Sequence, residues 1–170
     1  MKKIWIIAVM ALSLGACSSA VDNGKSTDNN GNETQVDSTQ QGSGVKMEST
    51  GKPIHLSEAD FKNNVFDFTK GGNWQYKGDK PCIIDFYADW CGPCRMIAPY
   101  MEEMAATYKN DIYVYKVNTD YAQTLAQYFG INSIPAVMFV PMSGEPQMAV
   151  GANEKSFYTD MVKKVLLVKK

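Results

Sequence analysis

Cys91 and Cys94 are separated only by Gly92 and Pro93. Two thiols at that spacing admit three chemistries: half of a metal site, a structural staple, or a dithiol that cycles with its disulfide. Structural zinc takes four Cys or His ligands, usually as two close pairs. Here there is one pair, and the other candidates, Cys82 and the sole histidine His55, are not at ligand spacing, so no metal is expected. A staple gains most by closing a long loop of the unfolded chain, and this loop is very short. The redox reading fits the local sequence better. A helix beginning directly after a strand sets Cys91 at its N-terminus, where unpaired N–H groups and the helix dipole favour a thiolate. Cys94, one turn on, is within reach to close the ring. Pro93 suits a first turn because no N–H is needed there.

The elements that must hold this pair are legible on either side of it. Cys82 to Tyr87 is an apolar run of strand length, as for a central strand covered on both faces. Asp85 interrupts it. A carboxylate there is costly unless paired or neutral, and burial raises its pKa into the range where protons exchange near neutral pH. The bland alternative is an edge position reaching water. Cys82 reads as a small buried apolar residue, with a regulatory thiol as the minority reading.

The remaining pattern places a short strand at Ile54 to Leu56 and a helix starting after Ser57 and running toward Val65 or Phe68. A loop follows over Lys70 to Lys80, and the helix after Pro93 extends to about Lys109, kinked at Pro99. Further strands are expected at Ile112 to Val117, Ala136 to Val140 and Gln147 to Val150, and a helix over Tyr121 to Phe129 ended by Gly130. Asn153 is expected to cap a last helix with Phe157, Met161, Val165 and Val168 on one face. The order βα, βα, βα, ββα predicts an α/β fold with a mixed central sheet and helices on both faces.

Length and composition suit one globular domain with appendages: 170 residues, 45% hydrophobic, 21% charged. The net charge of −1 and the lack of a basic stretch interleaved with aromatics give no reason to expect a nucleic-acid partner. At the N-terminus, Lys2 and Lys3, an apolar run from Ile4 to Leu12 and then small residues form a secretion signal. Leu14-Gly15-Ala16-Cys17 resembles a bacterial lipobox, which implies lipidation of Cys17 and removal of residues 1–16. The alternative is a plain signal peptide cleaved near Ala16 or Ala20. Residues 17–51 are dominated by Asn, Ser, Thr, Gly, Gln and Asp, a composition expected to stay disordered and act as a tether to the membrane. The folded domain is expected over 52–170, on the periplasmic side of a bacterial membrane, inner or outer.

Trp90-Cys91-Gly92-Pro93-Cys94 matches the thioredoxin active-site motif residue for residue, and the resemblance extends from about Pro53 to Lys170. Ile84-Asp85-Phe86-Tyr87-Ala88 is similar to the strand that leads into that motif, Ser133-Ile134-Pro135 to the opposing loop, and Val150-Gly151 to the later hairpin. The resemblance implies a thioredoxin fold with Pro135 in cis facing the disulfide. It implies Cys91 as nucleophile, Cys94 as resolving thiol, Asp85 as the buried acid that helps deprotonate Cys94, and Lys116 as the lysine beside that acid. Lys116 read from its strand alone is as well explained by a solvated face. Trp90, Gly92, Pro93, Ile134, Pro135, Gly151 and Ala152 would form the substrate groove, with the Ile134 backbone pairing to an extended substrate strand.

The expected function is reduction of disulfides in exported proteins by a Cys91/Cys94 relay, with no bound cofactor. Electrons would come from a membrane thiol-relay donor, since NADPH is cytoplasmic. Gly-Pro between the cysteines goes with the reducing end of this family; an isomerase or weak oxidase is the second enzymatic reading. A non-catalytic, surface-tethered binding module is the reading of another class.

Overall fold

The protein is described here over residues 48–168 of a computed structural model. The expected signal over 1–16, the lipidation site Cys17 and most of the expected linker lie outside the described residues.

The chain runs β1 (Ile54–His55), α1 (Glu58–Asn64), β2 (Cys82–Tyr87), α2 (Gly92–Thr107), β3 (Tyr113–Asn118), α3 (Gln123–Tyr128), β4 (Ala136–Val140), β5 (Gln147–Val150) and α4 (Lys155–Met161), which continues as a wider π-type turn over Val162–Leu166. The sheet order is β1-β3-β2-β4-β5. β1, β3 and β2 are mutually parallel, whereas β4 runs antiparallel to β2 and β5 antiparallel to β4. This is the thioredoxin fold, a mixed sheet covered on both faces.

Alternation along β2 divides the core. Cys82, Ile84 and Phe86 face the side packed by Phe61 of α1 and Leu125 of α3. Ile83 faces the other side, with Ile97 and Met101 of α2 and Tyr158 and Val162 from the C-terminal helix. Burying each such large side chain contributes about 1.5–3 kcal/mol, so both faces clamp the central strand. Asp85 shares the parity of Ile83 and therefore points toward the α2 side.

Local signals account for most boundaries. Ser57 caps α1 through the Asp60 N–H, and the Asp60 carboxylate accepts from the Ser57 N–H in return. The helix stops at Asn64, short of the expected end, because the chain turns at Val65 to bury Val65, Phe66 and Phe68 in the core. α2 continues through Pro99 to Thr107.

The last helix departs from expectation in two ways. Asn153 does not cap it: its side-chain amide donates to the Gly151 carbonyl and its N–H to the Tyr158 hydroxyl, and the helix starts at Lys155. The buried stripe is Tyr158, Val162 and Leu166, with Phe157, Met161 and Val165 only on its flank. The π-type turn rotates the later residues, and Val168 lies beyond the helix, 60% exposed.

Candidate active site

β2 ends at Tyr87, and four residues later Cys91 stands as the N-cap of α2. The Cys94 N–H donates to the Cys91 sulfur at 3.1 Å, satisfying one of the donors a helix start leaves unpaired. In a reduced state the same donor stabilises the thiolate. Cys91 and Cys94 form a disulfide. Both are buried, at 4% and 3% exposure, and pack with Ala88, Tyr87 and Ile134. Pro93 occupies the first turn of α2, and Gly92 carries no side chain to block the approach.

Ile134–Pro135 is a cis peptide at the entry to β4. Gly151 follows β5 with φ of +88°, a conformation open to glycine at no steric cost, and its N–H donates to the Pro135 carbonyl at 2.8 Å. The hairpin thus braces the proline loop, bringing Ile134, Pro135 and Gly151 together. Ala152 continues beyond Gly151 and is exposed.

On β2, the strand that leads into the pair, Asp85 is 1% exposed, and neither carboxylate oxygen has a hydrogen-bond partner. Burial pushes its pKa up to about 6, and the charge of Lys116 pulls in the opposite direction with less effect. Lys116 is the register partner of Asp85 on β3 and is half-buried, so it is not a purely solvated strand lysine. Cys82 is a buried free thiol whose pKa burial pushes up to about 12. It belongs to the core on the opposite face of the sheet from Asp85. Among the described residues, no three His, Cys, Asp or Glu side chains gather to hold a metal ion.

Trp90 is 70% exposed, beside the disulfide and not in the core. Its indole N–H donates to both carboxylate oxygens of Asp120, at 3.0 and 3.2 Å. The loop after β3 is tied in further: the Asn118 amide donates to the Asp89 carboxylate at 3.2 Å, and the Asp120 N–H donates to the Asn118 side chain at 2.9 Å. Arg95 reaches back from α2 to the Asp89 carbonyl. Asp89, Asn118 and Asp120 had no sequence signal tying them to the cysteines, because the contacts join positions about thirty residues apart.

The family described as thioredoxin matches residues 53–164 of this chain. The chain belongs to the thioredoxin family. Thioredoxin of Borreliella burgdorferi is 41% identical over 110 residues, covering 65% of this chain and 94% of that protein. Thioredoxin 1 of a Nostoc strain is 38% identical over 111 residues, with 65% and 94% covered. The chloroplastic M-type thioredoxin of Spinacia oleracea is 42% identical over 90 residues, covering 53% of this chain and 50% of that protein. As a thioredoxin-family member with its CxxC pair joined, the protein is a disulfide oxidoreductase whose redox-active centre is Cys91–Cys94. Thioredoxins act in general on disulfide-containing proteins.

Proposed function

We propose that this protein reduces disulfides of exported proteins from a lipid anchor at Cys17, using electrons passed to it by a membrane thiol-relay protein. The observation that carries the chemistry is Cys91 as the N-cap of α2, joined to Cys94, directly after the strand that buries Asp85 without a hydrogen-bond partner.

The Cys91 thiolate attacks one sulfur of a substrate disulfide; a Cys91–substrate S–S bond forms, the substrate bond breaks, and one substrate thiolate leaves. Cys94 then loses its proton to Asp85, which is largely ionised at pH 7 with a pKa of about 6. The Cys94 thiolate attacks the Cys91 sulfur, closing the intramolecular disulfide and releasing the second substrate thiolate. The substrate gains two electrons, the enzyme dithiol loses two, and the leaving thiolates take up protons. Trp90, Ile134, Pro135 and Gly151 hold the substrate strand against the Cys91 sulfur. Gly92 and Pro93 leave the approach free of charge. Lys116 tunes Asp85.

Support for export comes from the signal-like segment and the lipobox-like Leu14-Gly15-Ala16-Cys17. Support for the reducing direction comes from Gly92-Pro93, which place no charged group between the thiols to favour the reduced form. The deciding experiment is a redox titration of the Cys91–Cys94 couple in the full chain. A potential near about −270 mV, the known thioredoxin value, supports a reductase; one above about −180 mV overturns that direction in favour of an isomerase or oxidase. The mass of detergent-extracted protein tests the anchor: an unmodified N-terminus at or after Cys17 refutes it. A partner retained by a Cys91→Ser, Cys94→Ser double variant refutes turnover as the purpose of the site.

A further inference from the structure

Asp85 and Lys116 lie side by side on parallel strands, yet they do not pair. Their Cα positions are in register, but neither Asp85 oxygen has a hydrogen-bond partner among the described residues. The Lys116 ammonium instead lies 4.3 Å from the centroid of the Tyr87 ring. Tyr87 follows Asp85 by two positions on β2, so its ring stands on the same sheet face, one step toward the disulfide. The hydroxyl end of the ring is held as well. Its hydroxyl lies 3.3 Å from His55 Nδ1, and the two rings meet edge-on at 6.1 Å. His55 is itself the register partner of Lys116 across β1 and β3.

A lysine with a flexible four-carbon stem next to a buried carboxylate has a strong reason to swing onto it, because opposite charges attract most where water is excluded. The face of an aromatic ring is a competing seat, where the ammonium is attracted by the ring quadrupole and keeps part of its hydration. Lys116 also lines a recess of about 370 Å³ with His55, Tyr87 and Tyr121, which leaves its head group open to solvent on that side.

We propose that Tyr87 is a positioning residue that seats Lys116 on its ring and so holds the ammonium off Asp85, leaving the buried carboxylate uncompensated and basic enough to take the Cys94 proton. The inference rests on the reading of Asp85 as proton acceptor given above. With Lys116 at a distance, its charge lowers the Asp85 pKa less than burial raises it. In direct contact, it would pull the carboxyl down by about 1–3 units and weaken it as a base. The titratable groups on the elements around Asp85 are Lys116 on β3, His55 on β1, Tyr87 on β2, Asp89 in the following turn and Glu102 on α2, the two cysteines being joined as a disulfide; Lys116 supplies the charge that acts on the carboxyl. Glu102 shares a second recess with His55 and Lys116, and β4 contributes only the apolar Val137 as register partner.

The test is a carbon-13 NMR titration of the Asp85 carboxyl in the oxidised full chain. Tyr87→Leu lowers the midpoint by about one unit or more, whereas Tyr87→Phe, which keeps the ring face, leaves it in place. In a Lys116→Met background, Tyr87→Leu produces no such fall. A fall of equal size in that background means that the lost ring merely admits water to Asp85, and overturns the proposal. So does a fall with Tyr87→Phe, or no fall with Tyr87→Leu. If Tyr87→Leu does not fold, the wild-type Lys116 ε-methylene protons decide: a ring-current upfield shift is expected, and its absence refutes the seat. Failure of the reductase reading is separate, since an Asp85 that responds as stated in a protein that reduces no substrate overturns only the function.

Discussion

The N–H of Cys94 points at the sulfur of Cys91, 3.1 Å away, while Cys91 itself caps the helix that carries both. The two cysteines are therefore unequal before any substrate arrives. One sulfur receives a helix N-terminal donor, whereas the other lies one turn into the helix, with both equally buried. Cys91→Ser is expected to abolish disulfide reduction. Cys94→Ser is expected to stall the reaction with substrate covalently held on Cys91, visible by mass spectrometry and released by added thiol. Accumulation of substrate on Cys94 in a Cys91→Ser variant would reverse the assignment.

Asp85, the proton acceptor of the proposed mechanism, also bears on stability through its ionisation. Its folded pKa of about 6 stands above the ordinary 3.8. Between those values the folded state holds more protons than the unfolded state, so stability falls as pH rises through that window. The full penalty, on the order of 3 kcal/mol, is present above the folded pKa and absent below about pH 4. Asp85→Asn is thus expected to raise the urea midpoint at pH 7.5 and leave it nearly unchanged at pH 3.5. The same variant should slow closure of the Cys91–Cys94 disulfide on a mixed-disulfide intermediate. That defect should shrink at high pH, where Cys94 ionises without a base. Equal slowing across pH 6–9 would separate Asp85 from the proton transfer.

What was legible in the sequence was local. The strand–turn–helix around Cys91, the apolar strand interrupted by Asp85 and the Ser57 cap each follow from neighbours within a few positions. The pairings that complete the site are not local. Trp90 with Asp120, Tyr87 with His55 and Lys116 with the Tyr87 ring all depend on strand register, which composition and period do not encode. Nothing near His55 in the chain marks it for the site, yet β1 places it beside Lys116. The C-terminal helix failed differently: a four-residue period fits Phe157, Met161 and Val165 as well as Tyr158, Val162 and Leu166, and only packing onto the sheet and α2 selects the second set.

Gly151 offers a test of the brace behind Pro135. At φ of +88° a Cβ is strained, yet one added there would meet no atom within 4 Å. Gly151→Ala should therefore act through backbone conformation alone. It is expected to destabilise the protein by about 1 kcal/mol, the left-handed penalty partly offset by the stiffer unfolded chain. If the hairpin shifts to relieve the strain, the bond from the Gly151 N–H to the Pro135 carbonyl lengthens and substrate reduction falls with it. Unchanged stability and unchanged activity together would show that this conformation is dispensable.

Trp90 is anchored by one carboxylate in the open, and that predicts a separation of activity from stability. Its indole N–H bonds to Asp120 at a site where both partners are exposed, so the contact adds about 1 kcal/mol or less to folding. Its effect on the surface is larger, because it fixes a 70% exposed ring next to the disulfide. Asp120→Ala should leave thermal stability almost unchanged and let the ring sample other rotamers. KM for a protein disulfide is then expected to rise several-fold while kcat changes little, since the ring guides binding and takes no part in bond exchange. A fall in kcat at constant KM would mean that Asp120 acts on the thiols and not through the tryptophan. Asp120→Asn retains an acceptor oxygen for the indole and should restore most of the lost affinity, which a purely electrostatic role for the carboxylate would not allow.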